Sequence, residues 1–383
     1  MKKKGWEIKT LGEVCEVING YAFNSKFFTT DSNFIPLIRI RDIKRGYSET
    51  YYNAKYSSDF IIKKGDYLIG MDGEFNIGEW GSEDALLNQR VCKLKANEAK
   101  VFNKFIYYFI PTKLKEIEEY TAFVTVKHLS SKQIREIPIP VPPLKEQKEI
   151  VSKLDKGFEL IDRLKENAEK NLENAKELFQ SALREELSPK KGWETKKLKE
   201  IGNATTGQTP PTKDKDNFGD FIPFVKPADF LNGKLDYNND GLSEKGMKYS
   251  RISEKGATLM VCIGATIGKT AFTEQNVTSN QQINSIYPNK DFFPKYIYYL
   301  LISKEFYNQV LKNASQATLP IINKSKWENL SVSFPSNIKQ QEEIVSKLDK
   351  IKAMCEELEE NYKKSVLLCE ELKQGLLREV FED

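Results

Sequence analysis

The clearest regularity in the chain is the spacing of its apolar residues in two long stretches. In the first stretch they fall at Ile150, Leu154, Phe158, Ile161, Leu164, Ala168, Leu172, Ala175, Phe179 and Ala182. In the second they fall at Ile344, Leu348, Ile351, Cys355, Leu358, Tyr362, Val366, Cys369, Leu372, Leu376 and Val380. Alternating steps of three and four predict two coiled-coil helices, with a seam that includes Ile150, Leu154, Ile161, Leu172, Ile344, Leu348, Leu358 and Leu372. The remaining faces are almost solidly Lys, Glu, Asp and Asn. Pro138, Pro140, Pro142 and Pro143 precede the first helix and Pro335 the second, where proline stiffens an entry that it could not occupy inside a helix. Ser188-Pro189 ends the first helix. At ~1.5 Å per residue, roughly 43 residues give a rod of about 65 Å. Two matching seams in one chain predict that the helices pair with each other, antiparallel.

Elsewhere the pattern is that of mixed α/β domains. Short β-type runs at Phe34–Ile40, Asp66–Met71, Val91–Leu94, Phe221–Val225, Thr258–Ile263 and Ile283–Tyr287 are separated by Gly- and Asn-rich turns. A short aromatic helix is expected in each half, at Lys104–Ile110 and Lys295–Leu301.

These elements occur twice. Lys190-Lys191-Gly192-Trp193-Glu194 repeats Lys3-Lys4-Gly5-Trp6-Glu7, and Phe221-Ile222-Pro223 repeats Phe34-Ile35-Pro36 at the same offset. Ile150-Val151-Ser152-Lys153-Leu154-Asp155-Lys156 returns unchanged as residues 344–350, and the two helices then align without a gap. The period is too long for a solenoid and reads as a tandem duplication. The expected organisation is a globular domain over 1–143, a long helix over 144–188, a second globular domain over 189–337 and a second long helix over 338–383.

Composition adds two facts to this picture. Among 383 residues there are 59 Lys and Arg against 55 Asp and Glu, a net charge of only +4. Residues 144–190 and 338–383, which contain the helices, hold 18 basic and 23 acidic residues; the remaining globular parts hold 41 and 32. The basic excess therefore lies in the globular domains, which makes nucleic acid a candidate partner. The five cysteines form no C-x-x-C pair and read as reduced or buried thiols of a cytoplasmic protein. No apolar run approaches a membrane span, and no signal peptide is evident.

The motifs that come nearest to a catalytic or ligand site are each incomplete. Ile263-Gly264-Ala265-Thr266-Ile267-Gly268-Lys269-Thr270 has the wrong spacing for a phosphate-binding loop. It reads instead as a tight loop between strands, with Lys269 pointing outward. Asp236–Gly241 begins like a calcium loop but carries Met247 where a bidentate Glu is needed, so a polar turn is expected. The single histidine, His128, has no Cys or His beside it and reads as a surface or loop residue. No catalytic or metal-ligating constellation emerges. Arg39, Arg41, Lys44 and Arg45 do cluster in one strand-turn segment, and polar groups able to read base edges recur at matching places as Asn88-Gln89-Arg90 and Asn280-Gln281-Gln282. Asn88 and Asn280 also suit a structural role in turns.

The combination resembles one family, the DNA specificity (S) subunits of type I restriction-modification enzymes. The residues that carry the resemblance are Ile137-Pro138-Ile139-Pro140-Val141-Pro142-Pro143-Leu144-Lys145-Glu146-Gln147 before a long helix and its weaker copy Phe334-Pro335-Ser336-Asn337-Ile338-Lys339-Gln340-Gln341. The Gly-Trp-Glu starts and the Ile263–Lys269 loop followed by Asn280-Gln281-Gln282 add to it. The resemblance implies two target recognition domains, each reading one half of a bipartite site on double-stranded DNA. On that basis base or phosphate contacts are expected from Arg39, Arg41, Lys44, Arg45, Glu74, Asn76, Asn88 and Arg90 in the first half, and from Gln208, Thr209, Lys226, Thr266, Lys269, Asn280, Gln281 and Thr318 in the second. It implies a helical spacer with pseudo-twofold symmetry that also docks two methyltransferase subunits. Those subunits would carry S-adenosylmethionine, motor-nuclease subunits would join for restriction, and this chain would hold no cofactor and catalyse nothing. The competing expectation is a coiled-coil adaptor that joins proteins without binding DNA.

Overall fold

The computed structural model describes residues 5–120, 128–231, 233–315 and 319–381. Each globular half is closed by its own two ends. Glu7–Thr10 pairs antiparallel with Pro138–Val141, and Glu194–Lys197 pairs antiparallel with Ser331–Phe334. The strand that completes each half leads directly into a long helix, Leu144–Leu187 in one case and Ile338–Phe381 in the other. The chain divides into two compact units: Met1–Ala168 with Lys364–Asp383, and Glu169–Lys363.

The same sheet is built twice. In the first unit the order is Cys15–Asn19, Val91–Ala96, Tyr67–Gly70, Ile77–Glu79, all antiparallel. In the second it is Gly202–Thr206, Ile283–Pro288, Thr258–Val261, Thr270–Phe272, again antiparallel. A second sheet in each unit contains one parallel pair, Ile35–Ile38 with Ala85–Leu87 and Phe218–Val225 with Val277–Ser279. All six expected β-type runs contain strands. The expected aromatic helices are present, but the first is longer than its pattern suggested: Asn103–Tyr120 continues past Pro111, with Leu114 buried on its apolar face. The second, Pro294–Ile302, stops where Ser303 caps a separate helix, Lys304–Asn313, that the sequence reading missed.

A fixed set of side chains joins each aromatic helix to its long helix. Gln147 is fully buried. Its Oε1 accepts the Phe102 amide at 2.7 Å, and its Nε2 donates to the Pro142 and Lys100 carbonyls at 2.7 and 3.2 Å. Gln341 repeats this with the Phe293 amide at 2.9 Å and the Pro335 and Asp291 carbonyls at 3.0 and 3.4 Å. Two turns later Leu154 and Leu348 are buried, and the adjacent aspartates bind the aromatic helix. Tyr108 and Lys104 donate to Asp155; Tyr299 and Lys295 donate to Asp349. Burial, reinforced by these hydrogen bonds, pushes the phenols of Tyr108 and Tyr299 up, so both remain donors. Burial alone would raise Asp155, but Lys104 and Tyr108 together hold it below its ordinary value. The heptapeptide that occurs unchanged in both halves is thus the one whose leucine and aspartate anchor the long helix to the domain.

In each unit the helical segments run antiparallel. In the first, Asp162 bonds Lys373 and Lys165 bonds Glu370, so one helix advances three residues as the other retreats three. In the second, Glu186 bonds Lys347, and the Cys355 thiol lies against the Phe179 backbone. Of the expected seam, Leu154, Ile161, Ile344 and Leu348 are buried, while Ile150, Leu172 and Leu358 are half-buried. Leu372 corrects the pattern: it is 52% exposed, as is Leu164 at 57%. The packed positions are instead Lys165 and Lys373, half-buried, whose apolar stems cover the contact while each ammonium reaches an acid on the opposite helix. The step after Ile161 and after Cys369 is therefore four residues, not three. All five cysteines are free and buried, and burial pushes the thiols of Cys15, Cys92 and Cys262 up to about 12. Among the described residues no helix is long and apolar enough to cross a membrane.

Because the buried Gln147 amide bonds three backbone groups, Gln147→Ala is expected to cost about 2–4 kcal/mol of stability, and Gln341→Ala a similar amount. Urea denaturation of the full chain checks this; a loss below about 0.5 kcal/mol would show that the clamp is dispensable.

Candidate nucleic-acid interface

The candidate residues of the first half lie around the loop that joins Tyr67–Gly70 to Ile77–Glu79. A short 3-10 turn at Ile40–Asp42 follows the parallel strand, and buried Asp42 holds it: its Oδ2 accepts the Arg39 amide and the Ser48 hydroxyl, both at 2.9 Å. With Asp42 turned inward, Arg39, Arg41, Lys44 and Arg45 are left exposed around it. Gly70 provides the space for this packing, since a Cβ there would stand 3.2 Å from both Ile40 and Ile43. Lys44 then reaches Glu74 in the loop at 2.6 Å. Asn76, half-buried, donates to the Glu74 carbonyl at 3.1 Å. Arg41 donates to Thr50 at 3.4 Å, and Arg45 lies 3.9 Å from Glu49, both loose surface contacts.

Arg90 sits at the start of Val91–Ala96, and its Nη1 donates to Asp72 in the same loop. Asp72 also contacts His128 Nδ1 through its other oxygen. The sequence reading missed Asp72 and passed over His128 as a loop residue. It is a surface residue, but it is also the second partner of that carboxylate.

In the second half the backbone repeats and the side chains change. Lys226 occupies the place of Arg39, and its amide donates to buried Asp229 at 2.7 Å. Its ammonium is half-buried, 2.7 Å from Asp240. The Ile263–Thr270 segment is a tight loop, as expected: Gly264 and Gly268 have φ of 101° and 88°, and a Cβ on Gly268 would stand 2.4 Å from the Tyr307 ring. Thr266 is half-buried in this loop and Lys269 is exposed. Thr209 donates to Gln281 at 2.6 Å, which brings two candidates together. Gln208 is exposed, and its amide donates to the Ser279 carbonyl at 2.8 Å. Thr318 lies outside the described residues.

Asn88 and Asn280 serve their own turns. Asn88 Oδ1 accepts the Gln89 amide at 2.9 Å. Asn280 Oδ1 accepts the Gln282 amide, and its Nδ2 donates to Gln282 Oε1, both at 3.0 Å. Gly20 and Gly207 pack against these turns so closely that a Cβ would stand 2.1 Å and 2.3 Å from the two asparagine carbonyls. Both asparagines therefore hold the same turn of the scaffold. The Asp236–Gly241 segment is a polar turn in which Asn239 donates to Asp229 at 2.8 Å. Among the described residues no cluster of three or more metal-ligating side chains exists.

The geometry offers two exposed loop clusters rich in charged and amide groups, each mounted on the same sheet. Comparison with known proteins places that arrangement. Residues 3–174 and 190–368 each match the family model described as the type I restriction modification DNA specificity domain. The specificity subunit of the Escherichia coli type I restriction enzyme EcoBI is 28% identical over 98% of this chain and 85% of its own length. A chain from a structure of type I restriction-modification assembly and conformational transition shares the fold, with a TM-score of 0.77 and 20% identity over 98% of this chain and 97% of its own. The HsdS subunit of Thermoanaerobacter tengcongensis also shares it, with a TM-score of 0.61 and 18% identity over 99% of this chain and 97% of its own.

Proposed function

This chain belongs to the type I restriction-modification DNA specificity family, and on that premise we propose that it reads a bipartite, asymmetric DNA target, one globular domain per half-site, for partners that carry out the chemistry. The observation that carries this reading is the duplication itself: both halves match the family and share one scaffold, yet their exposed loops differ. A duplicated reader with divergent loops is suited to an asymmetric sequence. The exposed Arg39, Arg41, Lys44 and Arg45 supply positive charge for the phosphate backbone, while the neighbouring loops supply groups for base edges. The chain is non-catalytic. Methyl transfer falls to two methyltransferase subunits that bind S-adenosylmethionine, and cleavage to motor-nuclease subunits, in the cytoplasm where the DNA lies.

The long helices carry a feature suited to such partners. Leu160, Leu164, Leu368 and Leu372 are 52–60% exposed, and each stands one residue before a packed position. In an antiparallel pair the same offset places residues of both helices on the same flank, so the four leucines line one side. In the second unit Leu178 and Met354 stand in the same relation to Phe179 and Cys355 and are 52% and 62% exposed. A stripe of this kind on charged helices marks a protein interface. We assign it to the methyltransferase subunits.

Two measurements test these assignments. Binding of target DNA by the chain assembled with its methyltransferase should weaken steeply with salt, log K falling by about 0.9 per phosphate contact for each unit of log salt. A flat response, or no binding, would favour the DNA-free adaptor instead. The double substitution Leu164→Glu/Leu368→Glu should leave the melting temperature of the isolated chain unchanged while weakening methyltransferase binding at least about 30-fold. Undiminished co-purification would remove the stripe from the interface.

A further inference from the structure

The duplication allows the two halves to be compared position by position around the recognition loops. Three backbone links are the same in both. Met71 N donates to the Arg90 carbonyl at 3.0 Å, and Cys262 N to the Gln282 carbonyl at 2.7 Å. Leu129 N donates to the Met71 carbonyl at 2.7 Å, and Ile322 N to the Cys262 carbonyl at 2.9 Å. Asp72 bridges His128, and Ile263 bridges Ile321. These links place Asp72 opposite Ile263, Arg90 opposite Gln282 and His128 opposite Ile321. One backbone frame carries an acid, a guanidinium and an imidazole in the first half, and two isoleucines and an amide in the second.

Divergence on this scale is absent from the anchoring network, where Gln147 and Gln341, Asp155 and Asp349, and Tyr108 and Tyr299 are identical. A requirement of folding would act on both halves alike. Positions where the frame is kept and the chemistry replaced are those where the two halves do different work. Two domains that read different half-sites must differ at their reading positions.

The side-chain geometry says what the first half is suited to read. Arg90 is 53% exposed at the side chain, while Asp72 is only 22% exposed. Among the described residues, Arg90 is bonded to Asp72 through Nη1 alone, so Nε and Nη2 keep their hydrogens for a ligand. Asp72 is itself held by His128 through its second oxygen. The guanidinium is thus oriented in advance by a carboxylate that is oriented in turn, which lowers the entropy lost when a ligand is gripped. Arg41, 3.4 Å from Thr50 and 3.8 Å from Asp42, and Arg45, 3.9 Å from Glu49, make only longer contacts. A planar fork held in this way matches the O6 and N7 acceptors of guanine. In the second half the Gln282 amide oxygen is occupied by Asn280, and Ile321 is 41% exposed, so that frame presents an apolar surface in place of a cation.

Resting on the reading that this chain recognises DNA, we propose that Arg90 contacts a guanine in the half-site of the first domain, and that Asp72 and His128 are its positioning residues. The second domain has no counterpart contact at this frame.

Mapping of methylated adenines in cells that carry the full chain with its methyltransferase tests this. The wild-type chain should mark one bipartite motif. Arg90→Ala should relax a single G·C position in one half of that motif, lowering discrimination there about 5- to 100-fold, and leave the other half untouched. Asp72→Asn should relax the same position more weakly, and Arg90→Lys should not restore it, because a lysine cannot form the fork. The triple replacement Asp72→Ile/Arg90→Gln/His128→Ile carries onto the first frame the residues that the second frame already accommodates. It should fold and should lose the guanine preference completely. A uniform fall in methylation with the motif unchanged would make Arg90 a phosphate contact and overturn the proposal, as would relaxation at an A·T position or in both halves. An unchanged motif in Asp72→Asn would overturn the positioning role. Absence of any recurring motif with the wild-type chain would overturn the DNA-reading assignment, and this proposal with it.

Discussion

The structure depends on a buried polar clamp made twice. Gln147 and Gln341 stand at the first turns of the long helices, each with no exposure to solvent, and each satisfies backbone groups on both sides of the junction it spans. One side is the proline-rich entry to the helix; the other is the segment that starts the aromatic helix. Asp155 and Asp349 repeat the link two turns on, taking a tyrosine hydroxyl and a lysine each. An apolar contact alone would hold a helix near a domain without fixing its rotation. Directional bonds from a buried amide fix rotation and register together, because any slip leaves buried groups without partners. The position of the recognition loops relative to the helix in each unit therefore follows from a few side chains.

With that junction fixed, the loops are free to differ. The strands beneath them carry the same hydrogen bonds in both units, while the side chains above range from the Asp72–Arg90–His128 cluster to the Ile263–Gln282–Ile321 surface. This division between a repeated frame and a varied edge matches what family membership requires: a common way of holding partners and a private way of reading DNA. The packed lysines of the helices show a similar economy. Lys165 and Lys373 close the helix contact with their stems, and the leucines that would otherwise have packed there stand outward on one flank.

Much of this was legible in the sequence because it rests on periodicity and repetition. The helices, their antiparallel pairing, the two domains and the order of their strands follow from apolar spacing and from the second copy of each motif. The errors have local causes. Leu164 and Leu372 fit an apolar seam by type, but spacing alone could not show that a lysine stem would take the neighbouring position. Asn88 and Asn280 are a different case: amides suit both base edges and turns, and the hydrogen bonds show the turn use that the sequence left open. Asp72 and His128 are 56 residues apart and meet through an isolated bridge, so no local pattern announced them. The signal that could have found them was the failure of the internal repeat at Ile263 and Ile321.

On the proposed function, one frame, used twice, carries two independent readers. The most direct measurement exchanges residues 191–337 for the matching domain of a relative with a different target and maps the methylated adenines. One half of the bipartite motif should change to that of the donor while the other half is retained. A change in both halves, or in neither, would contradict it.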